Sequence, residues 1–225
     1  MYEKFWKRII DFVLSLGAFV FLLPVLAVLA IIGAVKMKGN PFFTQSRPGK
    51  DEKIFKLVKF RTMSNEKDEN GKLLPDEVRL NKYGRFLRST SLDELPELIN
   101  IIKGDMAIVG PRPQLVRDMV FMTPEQRKRH TVRAGLTGLA QINGRNCVTW
   151  EQKLAYDLEY IKNITFKGDM KIIFRTIEKV LKRDGISSEG METAEDLGDY
   201  LLRYERVSEE EYNLKQKEAK ELIGV

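Results

Sequence analysis

The longest pattern along the chain is an uncharged, mostly apolar run over residues 12–35, with basic residues on both sides of it. A spanning helix needs about 20 apolar residues, so this run of 24 is long enough to enter a bilayer. Pro24 separates two arms of 11 residues, 13–23 and 25–35, and each arm reaches only ~16 Å, roughly half of the hydrocarbon core. A helix bent at Pro24, with both ends on one side, satisfies both basic flanks. A straight or mildly kinked anchor is the alternative that the residues leave open, since membrane helices tolerate proline.

The rest of the chain has the pattern of a folded domain with helices and short strands. Apolar and basic residues alternate over 53–63, which predicts a strand, and a short apolar stretch predicts another over 107–109. Helical periodicity predicts helices over residues 78–88, 91–103, 124–130, 150–163, 168–184 and 208–224. In the first of these helices Leu80, Phe86 and Leu87 are predicted to face inward.

Two of the predicted helices bear on function. The helix over 91–103 carries Asp93 and Glu94 at its N-terminus, and either Ser91 or Asp93 can cap it. The helix over 168–184 has an apolar stripe opposite a basic one. That pattern fits a helix on a membrane surface and a helix packed on a core equally well.

Charge is distributed unevenly along the chain. The net charge is +6. The last 35 residues contain ten acidic and five basic side chains, so residues 191–225 carry −5 and residues 1–190 carry +11. A basic body beside a membrane segment indicates anionic lipid, nucleic acid or phosphorylated substrates. A membrane-anchored binder without enzymatic activity is therefore a competing interpretation, and the acid pair inside the basic body argues against it.

Composition excludes several other kinds of site. Cys147 is the only cysteine, which excludes a disulfide framework and a thiolate metal cluster. His130 is the only histidine, and we expect it at the surface beside a basic patch. Glycine-rich nucleotide loops of the usual forms are absent from the sequence.

The adjacent acids Asp93 and Glu94 are the candidate chemical centre. Taken alone, such a pair is explained by helix capping and by the helix dipole. However, several basic residues lie near Gly, Pro or element boundaries, among them Lys59, Arg88 and Arg112. Magnesium prefers one or two carboxylates together with phosphate oxygens. Acids within a basic, membrane-bound body therefore suit magnesium and phosphate chemistry.

The block SLDELPELINIIKGDMAIVGPRP, residues 91–113, resembles the signature of the bacterial sugar transferase family, the monotopic phosphoglycosyl transferases. The segments FTQSRPG (43–49), KFRTM (59–63) and GLTGLAQINGR (135–145) match in the same order. The resemblance extends from about residue 2 to about residue 190 and is closest to the small, PglC-like members. The chain departs from the family pattern at Ala134-Gly135 and at Leu139, and neither departure touches the acid pair.

The resemblance implies a two-step reaction. Asp93 attacks the β-phosphorus of a UDP-sugar and releases UMP, and undecaprenyl phosphate then takes the sugar phosphate from Asp93. The family pattern implies that Asp93 also ligates Mg²⁺ and that Glu94 is the second catalytic residue. It implies substrate contacts from Lys59, Arg88, Arg112, Arg145 and Asp157. It also favours the re-entrant course of the helix at Pro24.

We therefore expect an α/β, mostly helical fold in three parts. Residues 1–38 form a re-entrant membrane helix hairpin, and residues 39–190 form a compact catalytic domain with short strands. Residues 191–225 form an acidic extension that is not required for catalysis. The expected place is the cytoplasmic face of the bacterial inner membrane, in the first membrane step of glycan assembly. The expected partners are UDP-sugar, undecaprenyl phosphate and membrane phospholipid, and binding to nucleic acid is not expected. A homodimer is kept as an alternative to a monomer.

Overall fold

The computed structural model describes residues 2–144, 148–182 and 195–224. Its helices are α1 (Lys7–Lys36), α2 (Asp76–Arg79), α3 (Lys82–Thr90), α4 (Glu97–Lys103), α5 (Val116–Met119), α6 (Pro124–Arg127), α7 (Leu139–Asn143), α8 (Trp150–Lys162), α9 (Phe166–Lys182), α10 (Leu197–Arg203) and α11 (Glu209–Ile223). Its strands are β1 (Phe42–Pro48), β2 (Ile54–Phe60), β3 (Met106–Val109) and β4 (Ala134–Thr137). The fold is mostly helical with few short strands, as the sequence predicts.

The apolar run forms one helix, α1, which continues through Pro24. A π-helical turn over Tyr2–Trp6 precedes it. Among the described residues it is the one helix long and apolar enough to cross a membrane. The buried positions of α1, among them Ser15, Leu26 and Leu29, are spaced by three, four or eleven residues, so they share one face, as expected for a helix packed along one side. A break at Pro24 is absent, so the re-entrant course stays a prediction.

Both ends of α1 bind the same domain. Near its start the Arg8 guanidinium donates hydrogen bonds to the carbonyl oxygens of Ile101 and Ile102, at 2.6 and 2.9 Å. Near its end the Tyr83 hydroxyl donates to the carbonyl oxygen of Leu29 at 2.7 Å. The apolar helix is therefore attached to α3 and to the end of α4.

The four strands form two separate two-stranded sheets. Strands β1 and β2 pair antiparallel, with Phe42 opposite Phe60 and their rings stacked at 5.3 Å. Strands β3 and β4 pair parallel. The predicted strands over 53–63 and 107–109 are confirmed as β2 and β3, whereas β1 was not predicted, because the proline at its end and the glycine after it do not favour a strand.

The segment that carries the acid pair differs from its predicted form. Helix α3 ends at Ser91, which has a left-handed backbone (φ 55°), and a 3₁₀ turn over Leu92–Glu94 follows. Helix α4 begins only at Glu97, with Pro96 as its N-cap, and neither Ser91 nor Asp93 caps a helix with its side chain. Proline has no N–H to donate and fits the start of a helix. The carboxylates of Asp93 and Glu94 therefore do not cap a helix.

Two predictions about burial are wrong. Phe86 is 49% exposed, because the inward face of α3 is occupied by Gly84 and Leu87. A side chain at position 84 would collide with the Thr62 carbonyl oxygen, so the segment that follows β2 lies directly against α3 at Gly84. His130 is buried at 5% exposure rather than lying at the surface.

The acidic tail is part of the core. Leu197 of α10 and Ala219 of α11 are buried in one cluster with α5 and with Trp150 and Leu154 of α8. The predicted last helix is confirmed: the Ser208 hydroxyl caps its start, and Gly224 ends it in a left-handed conformation. The described part of the acidic extension therefore packs against the domain through α10 and α11.

Candidate active site

Two cations, Lys59 and Arg112, pair with acids at the start of α4 and in the turn before it. Lys59 of β2 places its Nζ 2.9 Å from Glu94 Oε1 and 3.1 Å from Glu97 Oε1. Arg112 Nη2 lies 2.5 Å from the same Glu94 oxygen. Glu94 therefore pairs with both cations, and Glu97 shares the lysine.

Local structure explains why these side chains meet. The Asn100 side chain accepts from Val58 N (3.0 Å) and donates to the Lys56 carbonyl oxygen (2.8 Å), which fixes α4 along the edge of β2. Lys59 is the residue after Val58 within β2, and Glu97 lies one turn before Asn100 on α4. The end of β3 leads into the loop that carries Arg112.

Burial and nearby charges shift the pKa values of the three acids in different directions. Burial opposes ionisation of Glu94, but Arg112 and Lys59 outweigh it and hold the pKa of that carboxyl below its usual range. Burial raises the pKa of Glu97 to about 7, although Lys59 opposes this. Burial, with repulsion from Glu94, raises the pKa of Asp93 to about 6. Glu94 is thus the firmly ionised partner of the cations.

Asp93 is chemically distinct from its two neighbours. Glu94 and Glu97 are bound by cations, whereas in residues 2–144, 148–182 and 195–224 the Asp93 carboxylate is engaged in no ion pair. Lys59, Arg112 and Arg88 are near enough to lower its pKa against the effect of burial. A carboxylate that is surrounded by cations but not bound by them can receive a phosphate group that those cations also attract.

The loop that carries Arg112 is held by its backbone. The carbonyl oxygen of Arg112 accepts from Arg129 Nη2 at 2.5 Å, and that of Pro113 accepts from Arg47 Nη1 at 3.1 Å. The Pro111 carbonyl oxygen accepts from Gly135 N at 2.9 Å. A Cβ at position 135 would lie 2.1 Å from Gly110 N, so only glycine allows this close approach. The loop therefore holds Arg112 in place before any substrate binds.

Asp157 lies behind this loop. It is 1% exposed, and its Oδ2 accepts from Arg129 Nη2 at 2.7 Å and Nε at 2.9 Å. Arg129 in turn holds the Arg112 backbone. Burial shields Asp157 from solvent, so in this structure its contact with the site is indirect, through Arg129.

Of the other two predicted substrate residues, the structure describes one. Arg88 donates from Nε to the Thr62 hydroxyl at 3.1 Å, beside the acid pair. Arg145 lies outside the described residues. Sequence reasoning missed Glu97, although it lies one helical turn after Asp93 and Glu94. It also missed Arg47, although Arg47 belongs to the quoted segment 43–49.

The residues present fit a magnesium ion that is held largely by its substrate. No group of three or more metal-binding side chains occurs in the part of the chain that the structure describes. Glu94 and Glu97 are engaged by cations, which leaves Asp93 as the available carboxylate. Magnesium commonly binds through one or two carboxylates plus substrate phosphates and water, so one carboxylate is sufficient.

The sequence model of the family described as "Bacterial sugar transferase" matches residues 2–183. The chain belongs to the bacterial sugar transferase family. This confirms the resemblance carried by the block 91–113 and places α1 and the acid cluster within the family region. Helices α10 and α11 lie beyond that region.

Similar proteins extend the comparison. The chain is 48% identical to an uncharacterized sugar transferase, EpsL, of Bacillus subtilis over 193 residues, covering 84% of this chain and 94% of that one. It is 39% identical to a UDP-glucose:undecaprenyl-phosphate glucose-1-phosphate transferase of Klebsiella pneumoniae, covering 77% of this chain. It is 37% identical to a UDP-galactose-lipid carrier transferase of Erwinia amylovora, covering 81% of this chain. It spans only 40% and 42% of the length of these last two proteins.

Proposed function

We propose that this bacterial sugar transferase moves a sugar 1-phosphate from a UDP-sugar to undecaprenyl phosphate and releases UMP. The observation that carries the proposal is the acid cluster, in which cations bind Glu94 and Glu97 and leave Asp93 without an ion pair. The names of the Klebsiella and Erwinia relatives supply the substrate classes. Undecaprenyl phosphate is itself a membrane lipid, which agrees with an apolar helix in the same chain.

In the first step a carboxylate oxygen of Asp93 forms a bond to the β-phosphorus of the UDP-sugar. The bond from that phosphorus to the bridging oxygen breaks, and UMP leaves with the electron pair. Carboxylates form covalent intermediates of this kind at phosphorus. In the second step a phosphate oxygen of undecaprenyl phosphate bonds to the same phosphorus, and the Asp93 carboxylate is released. The product is the undecaprenyl diphosphosugar.

The cations have the role of holding phosphate charge. Phosphoryl transfer depends mainly on positioning and on electrostatic stabilisation of the transferred group. Arg112 is preorganised by its loop, and Lys59 is fixed between two acids, so neither must reorganise when the phosphate arrives. Glu94 keeps both cations in place. Asp93 and the substrate phosphate oxygens would hold Mg²⁺, which would supply further neutralisation of phosphate charge.

We propose a re-entrant placement of α1 from the cytoplasmic face. A straight helix of 30 residues is ~45 Å long, and a spanning course would separate its ends by the thickness of the bilayer. Instead, both halves of α1 are attached to one domain, by hydrogen bonds from the Arg8 guanidinium and by a hydrogen bond to the Leu29 carbonyl oxygen. The outward face of α1 exposes large apolar side chains such as Phe21 (83%) and Val35 (71%), which suits contact with lipid.

Helix α9 supports the same placement. The sequence left a membrane-surface helix and a core helix open. In the structure Phe174, Ile177 and Leu181 are exposed by 68%, 51% and 79%. An apolar stripe left exposed beside basic residues is typical of a helix at a membrane surface. The domain would then rest on the bilayer through α1 and α9.

The function can be tested by UMP release from a panel of UDP-sugars with undecaprenyl phosphate in detergent. We expect magnesium-dependent release with at least one UDP-sugar, and loss of at least a hundredfold in rate for Asp93→Asn, on the order of the loss of a key catalytic group. Asp51→Asn, at an exposed left-handed position that Asn tolerates, is the matched control. Turnover of Asp93→Asn within tenfold of the wild type would contradict the nucleophile assignment.

A further inference from the structure

A groove with a cavity volume of about 390 Å³ lies between the end of α8 and the first half of α9. Three cationic side chains line it: Lys162 from α8, and Lys171 and Arg175 from α9. The lining contains Glu159 but none of Lys59, Asp93 or Arg112. The groove is therefore separate from the candidate active site.

The second carboxylate of the lining, Asp169, is already neutralised from within. It is 1% exposed. Its oxygens accept from Lys7 Nζ at 2.6 Å, from the Tyr2 hydroxyl at 2.7 Å and from the Tyr160 hydroxyl at 2.9 Å. The charge that the groove presents to a ligand is therefore positive.

An exposed apolar surface adjoins the groove. On a helix with 3.6 residues per turn, the groove-lining Lys171 and Arg175 share one face of α9, and the exposed Phe174 and Leu181 lie on the adjacent face. At the start of α9, Phe166 packs edge-on against Tyr2 at 5.8 Å, which continues this surface to the π-helical turn before α1. A ligand with a phosphate in the groove can thus place apolar chains over α9.

We propose that the groove binds the phosphate headgroup of an anionic membrane phospholipid. The proposal rests on the membrane placement proposed above and assigns part of it to a defined site. Positive lining selects the anion, and the adjoining apolar face selects a lipid over free phosphate. Basic side chains beside a membrane bind anionic headgroups in this way. Such a site would fix the rotation of the domain on the bilayer.

The test compares three single variants in binding to vesicles. Lys171→Gln and Arg175→Gln remove a groove cation. Lys167→Gln removes the same charge one turn away on α9, from an exposed lysine outside the lining. Affinity is measured for phosphatidylcholine vesicles with and without phosphatidylglycerol, in about 0.5 M salt, where the Debye length of roughly 4 Å suppresses diffuse attraction. Thermal midpoints confirm that each variant folds.

We expect each groove variant to lose about fivefold in affinity for phosphatidylglycerol vesicles, the contribution of one basic residue at an anionic surface. Lys167→Gln should lose less than about twofold under this screening. All variants should bind pure phosphatidylcholine equally, through α1. Equal losses for groove and control variants, or none, would overturn the headgroup site. Displacement of the wild type by excess inorganic phosphate would show a free-phosphate site instead. Failure of the wild type to bind either vesicle would overturn the membrane placement as well.

Discussion

Leu197→Ala tests whether the acidic tail belongs to the folded core. Leu197 is 4% exposed in the cluster formed by α5, α8, α10 and α11. Truncation of a buried leucine to alanine costs about 2–5 kcal/mol, from lost apolar contact and the cavity that remains. For a chain of this size each kcal/mol lowers the melting temperature by roughly 2–4 °C. We therefore expect a decrease of roughly 4–20 °C.

The matched control is Leu214→Ala in the same tail. Leu214 is 68% exposed on α11, so the same substitution there should change the free energy of unfolding by only about 0.5 kcal/mol. Thermal unfolding in detergent can be followed by fluorescence of Trp150, which is buried in this cluster. Equal melting temperatures for the two variants would refute the packing argument. Truncation after Gly190 is then expected to reduce UMP release together with folding, contrary to the expectation from the sequence.

Three further predictions concern other parts of the chain. Asp157→Asn should raise KM for the UDP-sugar and destabilise the fold by about 3–5 kcal/mol, because it leaves the buried Arg129 without its ion pair; an unchanged KM would contradict the indirect role. Burial lowers the pKa of His130 to about 4. As pH falls below about 6.5, His130 is therefore protonated in the unfolded state before it is protonated in the folded state. The free energy of unfolding should decrease by about 3 kcal/mol towards pH 4. His130→Gln should remove that dependence in urea unfolding, and a retained slope would assign it elsewhere. Labelling of cysteines placed before and after α1 should find both ends on the cytoplasmic face, with Pro24→Ala shifting the helix towards a span; opposite faces in the wild type would exclude the re-entrant course.

Local patterns predicted the elements whose formation depends on their own residues. The alternating residues of β2, the apolar stretch of β3 and the Ser208 cap each act within a few positions. The start of α4 was different. Ser91 and Asp93 offered competing caps of similar local strength, and only the packed structure shows that the helix begins after Pro96.

The sequence was sufficient to select Asp93 and Glu94 as candidate catalytic residues, but it could not predict which cations pair with them. Lys59 and Arg112 are 35 and 18 residues from Glu94 along the chain, so their pairing depends on how β2 and the loop after β3 pack against α4. The role of Arg129 depends in the same way on its contacts with Asp157 and with the Arg112 backbone. No local spacing encodes such contacts.

The central claim is that Asp93 carries the sugar phosphate before the lipid acceptor binds. Enzyme incubated with magnesium and a UDP-sugar labelled with ³²P at the β-phosphate, without acceptor, should become labelled, and hydroxylamine should release the label from the acyl phosphate. Asp93→Asn should not label, and Asp51→Asn should label like the wild type. Kinetics should be ping-pong, because UMP leaves before the second substrate attacks. An unlabelled wild-type enzyme with ternary-complex kinetics would contradict the account and favour direct attack by undecaprenyl phosphate.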